Sequence, residues 1–186
     1  VMSIISNYIR SKYISSAYER LIQARDLSSD GWGVWEKSDA TITNTAEALI
    51  ALSYMDSIRA QGYVGKAIAF ISKMVETRKP TTTRHYALAL TSLALCGIHQ
   101  DPLVEKCYSW LLTTRADDGG WGHSHNDKKS SLFPTYLGIR ALVAFVNKLS
   151  DIELKNKTIG RINQAERWII DTQNEDGGWS FEFNQV

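Results

Sequence analysis

The chain has 186 residues, with 21 Lys and Arg against 20 Asp and Glu. That length suits one domain with a substantial core, and the charge balance gives no reason for a nucleic-acid or anionic-membrane partner. No apolar run reaches the roughly 18 residues of a membrane-spanning helix. The opening Val1-Met2-Ser3-Ile4-Ile5 lacks the basic start and continuous apolar stretch of a secretory signal. Cys96 and Cys107 lie in apolar helical runs, where reduced cysteines act as small hydrophobes rather than as a disulfide pair, and a cytoplasmic location fits that usage.

Helical periodicity dominates, and no segment alternates with the period of two that a half-buried strand needs. The fold class is therefore all-α, with helices expected over 3–27, 42–58, 63–77, 83–97, 102–115, 131–149 and 161–173. The first runs into Asp30-Gly31-Trp32-Gly33. The second is apolar nearly all round at Ala46-Glu47-Ala48-Leu49-Ile50-Ala51-Leu52, and a helix apolar on every side is buried on every side. The third sets one stripe, Ala67, Phe70, Ile71 and Met74, against charged Lys66, Lys73 and Glu76, as an outer helix does. A short connection from Thr77 to Thr83 follows, with Pro80 as a stop and threonines able to cap the next helix.

The fourth segment is again apolar from Ala87 to Leu95, and the fifth ends at Asp118-Gly119-Gly120-Trp121-Gly122. The sixth repeats the apolar character from Leu137 to Val143. The seventh, with Ala165, Trp168 and Ile169 against Glu166, Arg167 and Asp171, leads into Asp176-Gly177-Gly178-Trp179. Three such turns mean that one structural unit has been copied. Thr45, Tyr86 and Thr135 align on the inner helices, and Phe70, Trp110 and Trp168 on the outer ones. Trp32 lies 13 residues before Thr45 and Trp121 lies 14 before Thr135. Alternating outer and inner helices close most simply into an α/α toroid, with an extended solenoid as the second reading. About seven helices, or 3.5 repeats, imply a partial ring: one domain over 1–186, incomplete or part of a larger protein.

The stretch from Ala165 through Gln173 to Trp179 closely resembles the QW repeat of squalene-hopene cyclases, oxidosqualene cyclases and protein prenyltransferase β subunits. The copy from Trp110 to Trp121 keeps the spacing with Arg115 at the glutamine position, and the first copy is looser, with Arg25 or Asp26 near that position. The resemblance implies the toroid fold, and a glutamine that ties adjacent repeats by hydrogen bonds. Glycine supplies the positive φ that ends the outer helix, the next glycine allows close backbone approach, and tryptophan covers the corner while its N–H meets a local carbonyl. Trp32, Trp121, Gln173 and Trp179 thus read as structural repeat residues.

The resemblance also names the chemistry to look for. The Asp-x-Asp-Asp acid of class II terpene cyclases is absent, and Asp117-Asp118 falls in a turn. The prenyltransferase zinc pattern is absent too. Cys96 with His99 lacks a second pair, and His123-Ser124-His125 alone is a weak metal signal, so no catalytic residue, metal or cofactor is assigned.

Parallel inner helices gather their N-termini at one end, where partial positive charges meet. That places Asn44, Thr45, Arg84, His85 and Tyr86 at the mouth, joined by Arg140, the one cation in an apolar inner run. Arg140 and Glu47 invite pairing with each other, and Arg84, His85 and Arg140 otherwise offer donors to an anion. Tyr54, Tyr86, Phe133, Tyr136 and Phe145 read as interior packing.

The resulting reading is a non-catalytic recognition, sensor or scaffold domain that binds a partner or a polar or anionic ligand at its concave end. Its partners would be another protein domain, a second copy meeting the open edge of the ring, or an anionic or isoprenoid ligand. The alternative is a part of a terpene cyclase or other isoprenoid-processing enzyme whose acid or metal site lies in other sequence.

Overall fold

The structure, a computed structural model, describes the backbone at residues 2–55, 57–78 and 82–179 and the side chains at 13–55, 62–77 and 82–179. The connection residues Lys79, Pro80 and Thr81 lie outside the described residues. Among the described residues the protein is all-α, with α1 Met2–Gln23, α2 Ile42–Ser53, α3 Ser57–Arg78, α4 Thr83–Leu95, α5 Pro102–Thr113, α6 Leu132–Val146 and α7 Ile152–Asp171. The only β feature there is an isolated antiparallel bridge between Thr82 and Ser124. None of the described helices is long and apolar enough to cross a membrane. The chain divides into two compact units, Val1–Thr77 with α1 to α3 and Arg78–Val186 with α4 to α7.

Local chemistry explains where the helices start. Thr41 caps α2, its hydroxyl accepting the Asn44 N–H at 3.1 Å and donating to the Asn44 side-chain carbonyl at 3.0 Å. Asp101 accepts the Leu103 N–H at 2.8 Å and Pro102 follows as the first helical residue of α5. Asp151 accepts the Leu154 N–H at 2.9 Å and starts α7 nine residues before the expected 161. Those two extra turns are polar on the surface. Their inward stripe continues through Thr158, Arg161, Ile162 and Ala165, all buried, so a count of apolar residues alone passes over its first half. Thr82 departs from the expected capping role: it occupies the N-cap of α4, but its hydroxyl meets His85 Nδ1 instead of a helix backbone N–H.

In the second unit α4 is buried without a break from Tyr86 to Ala94 and packs on α5 and α6. α6 packs on α4 and α7, yet Phe133, Tyr136 and Val143 are about half exposed, so burial on every side holds for α4 and not for α6. Of the aromatics expected inside, Tyr86 and Phe145 are buried, the latter tilted against Tyr108 at 5.2 Å. Tyr54, Phe133 and Tyr136 are exposed. Of the expected outer stripes, Ala67, Ile71 and Ala165 are fully buried and Phe70, Met74, Trp168 and Ile169 partly so, with Lys66, Lys73, Glu166 and Arg167 in solvent. Both cysteines are free, and burial pushes the Cys107 thiol up to about 12.

In the second unit α6 crosses close over the Trp121 ring. A Cβ on Gly138 would stand 2.7 Å from the indole, closer than side chains approach one another. Gly138→Ala should therefore destabilise the protein by about 1–3 kcal/mol through overpacking, despite the better helix propensity of alanine. Trp121→Ala should lose about 3–5 kcal/mol. Urea unfolding of the two variants against wild type measures both.

Candidate functional site

The three glycine-tryptophan turns share one hydrogen-bond frame. Each is closed by a backbone bond across it: Asp26 N–H to the Gly31 carbonyl at 2.9 Å, Ala116 N–H to Gly120 at 3.2 Å, and Asn174 N–H to Gly178 at 2.8 Å. That register settles the looser first copy, because it sets Arg25, and not Asp26, opposite Arg115 and Gln173. The left-handed corner falls on Asp30 (φ 61°), Gly119 (φ 104°) and Gly177 (φ 85°), so the first copy departs from the glycine expected there. Each indole N–H returns to the preceding helix: Trp32 to the Leu21 carbonyl at 2.7 Å, Trp121 to Leu111 at 3.0 Å and Trp179 to Ile169 at 2.8 Å.

The next inner helix then locks onto the tryptophan backbone. Thr45 Oγ1 accepts the Trp32 N–H at 2.9 Å and Thr135 Oγ1 accepts the Trp121 N–H at 3.0 Å, each hydroxyl donating back to the same tryptophan's carbonyl. Both threonines are fully buried. The preceding glycine permits the approach, since a Cβ on Gly31 or Gly120 would sit 2.8 or 2.6 Å from those hydroxyl oxygens.

Cations fasten the turns to the following outer helix, differently in the two units. In the first, Arg25 lies over the Tyr63 ring at 4.7 Å and faces Asp30 at 3.5 Å, while Lys66 meets Asp30 at 3.4 Å. In the second, Arg115 donates to Gln164 Oε1 at 3.3 Å, and Arg161 reaches in from α7 to lie over Trp121 at 3.9 Å. The Arg161 guanidinium donates to the Gly119 and Gly120 carbonyls, which face the following outer helix, and its Nε is buried without a partner. Burial, with Arg115 adding repulsion, lowers Arg161 to about 10, which leaves it charged at neutral pH. Sequence reading missed Arg161. Its only signal is position, since it lies in the same register as Tyr63.

Asp118 is also structural. Partial burial would raise its carboxyl, but hydrogen bonds from the Ser130 hydroxyl, the Ser130 N–H and Trp168 hold it below the usual range. It lies beside an open groove of about 320 Å³ between the second turn and α7, lined by both signs of charge, Arg115 and Arg167 with Asp117 and Asp171. Among the described residues no group of three or more His, Cys, Asp or Glu side chains could hold a metal ion.

Of the residues read as ligand donors, Asn44 and Thr45 belong to the first unit and Arg84, His85, Tyr86 and Arg140 to the second. Thr45 is engaged with Trp32, and the Asn44 amide donates to the Gly33 carbonyl at 2.9 Å. Tyr86 is buried and stacks on Trp110 at 4.6 Å. Arg84 is exposed and sits over the Phe133 ring at 5.9 Å, so the N-termini of α4 and α6 stand side by side. Neither N-cap there, Thr82 or Ser131, bonds its own helix backbone through its side chain. Arg140 is partly buried further along α6, and Glu47 is exposed on α2. The structure thus brings Arg84 and His85 to the paired N-termini with Phe133, while Asn44, Thr45 and Tyr86 serve the turns and the core.

Thr135→Val keeps the volume and removes the acceptor for a buried N–H, and should cost about 1–3 kcal/mol in urea unfolding. Burial first, then Arg84, lowers the His85 pKa below its ordinary value. The unfolded chain therefore takes up this proton first as pH falls, so His85 contributes stability above about pH 6.5 that is lost on acidification. A proton NMR titration should give a His85 midpoint below 6.5, and the fall in melting temperature from pH 7.5 to 5 should shrink in His85→Gln.

The chain matches no protein-family model and no curated protein.

Proposed function

We propose that the protein is a non-catalytic recognition or scaffold domain of the squalene-cyclase and prenyltransferase kind, a partial α/α toroid that accepts a polar or anionic ligand at the N-terminal end of its inner helices. One observation carries this reading: the conspicuous residues of the turns are engaged in holding the helices together, while Arg84 lies over Phe133, with His85 next to it on α4, at two helix N-termini whose N-cap side chains do not bond their own helix backbone. Two adjacent helix dipoles and a guanidinium favour an anion there. The exposed rings of Phe133 and Tyr136 beside them suit a ligand with an apolar part, such as an isoprenoid diphosphate. His85 gains charge as pH falls, which strengthens anion binding under mildly acidic conditions.

Thermal shift with inorganic diphosphate, isoprenoid diphosphates and sulfate tests the reading. At a hundredfold excess over Kd a ligand adds about 2.7 kcal/mol, or several degrees for a chain of this size. The diphosphates should raise the melting temperature of the wild type, more at pH 6 than at pH 8, and should lose most of that effect in the Arg84→Ala, Arg140→Ala double variant. Equal melting with and without every ligand overturns the anion site. Release of inorganic diphosphate from an isoprenoid diphosphate would instead favour the enzyme reading, in which this chain forms part of an isoprenoid-processing catalyst.

A further inference from the structure

One side of α6 is spent on the fold and the other is open. Thr135, Leu137, Gly138, Ala141, Leu142 and Phe145 are buried, where the helix packs on α4, on α7 and over the Trp121 ring. On the opposite side Phe133, Tyr136 and Val143 are 46%, 49% and 50% exposed. With Arg140 they fall within about 80° of the helix circumference at 3.6 residues per turn, and so form one stripe. The exposed sides of α5 and α7 are charged instead, with Glu105 and Lys106 on one and Lys157, Glu166 and Arg167 on the other. Arg140 is the only charged residue of α6. It is partly buried, and among the described residues it forms no ion pair or hydrogen bond. Neither α4 nor α6 contains a carboxylate that could pair with it. A cation placed in this way has lost hydration that an opposing carboxylate would replace.

We propose that this stripe is the docking face for an amphipathic helix of a partner protein, with a carboxylate set opposite Arg140. Shape and charge both select that occupant. Side chains at i, i+3, i+7 and i+10 form a ridge of the kind that packs into the grooves of another helix. α6 is 15 residues long, or about 22 Å, enough for such a contact. The partner helix presents an Asp or Glu with apolar residues three or four positions to either side. Those residues meet Tyr136 and Val143 while the carboxylate takes the guanidinium, and a charge pair buried in this way sets register as well as partner. A second copy of this chain does not fit. Arg140 lies near the middle of the stripe, so two α6 helices crossing on a two-fold axis would bring their guanidiniums together. The proposal rests on the recognition reading above and names its partner. It centres on Arg140 and Val143 rather than on the helix N-termini, so the diphosphate site and this face stand or fall separately.

Fluorescence anisotropy with two labelled peptides tests the proposal. Both are helices based on alanine and glutamine with leucine at i, i+3 and i+10, and one carries glutamate at i+7 where the other carries lysine. The glutamate peptide should bind unaltered protein, and the lysine peptide should bind at least about tenfold more weakly. In Arg140→Glu that preference should reverse, a result that misfolding cannot produce. Val143→Asp should weaken the glutamate peptide at least about tenfold and leave unchanged whatever melting shift diphosphate gives, which separates this face from the anion site. No binding up to about 1 mM peptide, or equal affinity for the two peptides, overturns the proposal. So does a dimer, or binding to phosphatidylcholine vesicles, that Val143→Asp abolishes. A lower melting temperature in Val143→Asp with no peptide binding to unaltered protein also overturns it, because the face is then covered by the protein's own chain.

Discussion

The turns at Trp32 and Trp121 each depend on a buried hydroxyl that both accepts from and donates to the backbone of the tryptophan. A glycine-tryptophan turn that leaves a helix exposes peptide groups at a corner about to be buried, and burying them unpaired would cost about 1–3 kcal/mol each. Thr45 and Thr135 answer that demand from the following helix. The bond therefore ties the turn, the helix before it through the indole N–H, and the helix after it through the threonine. Gly31, Gly120 and the Gly138 Cα over the second indole serve the same purpose, since the hydroxyl and ring can sit there only when no Cβ intervenes.

Once the turn residues have this role, the candidate site narrows. A residue already satisfied inside the fold cannot serve a ligand without breaking a structural bond, which removes Thr45, Asn44 and Tyr86 from the mouth. The α4 and α6 N-termini stand side by side, with Arg84 over the exposed ring of Phe133 and His85 next to it on α4. The carboxylate of Asp118 is likewise occupied by Ser130 and Trp168.

The sequence spoke most clearly where a backbone demand selects a residue type. Glycine at φ 104° in the second turn, tryptophan over a helix end, and threonine a fixed distance onward were all visible, because few residues meet those demands. The start of α7 was hidden since its inward stripe includes Thr158, held by Tyr108 at 2.6 Å, and Arg161, and polar residues do not announce burial. Arg25 could not be told from Asp26 by counting, because the loop between helix and tryptophan differs in length between copies, and only the cross-turn hydrogen bond fixes the register. The exposed stripe of α6 was misread for the opposite reason: an all-round apolar pattern records what a helix is able to bury, and Phe133, Tyr136 and Val143 face solvent all the same.

The exchange of cations between the two units shows which residues must change together. In the first, Lys66 occupies the position that Gln164 holds in the second, where it would repel a guanidinium from the turn; Arg25 turns instead to Tyr63, and Lys66 goes to Asp30. In the second, neutral Gln164 accepts Arg115, which frees the Tyr63 position for Arg161 above Trp121. Arg25, Tyr63 and Lys66 form one self-consistent set, and Arg115, Arg161 and Gln164 form another. A repeat assembled by averaging the two would put Lys beside the turn arginine with an arginine already buried next to it, so such modules exchange as triplets rather than one residue at a time.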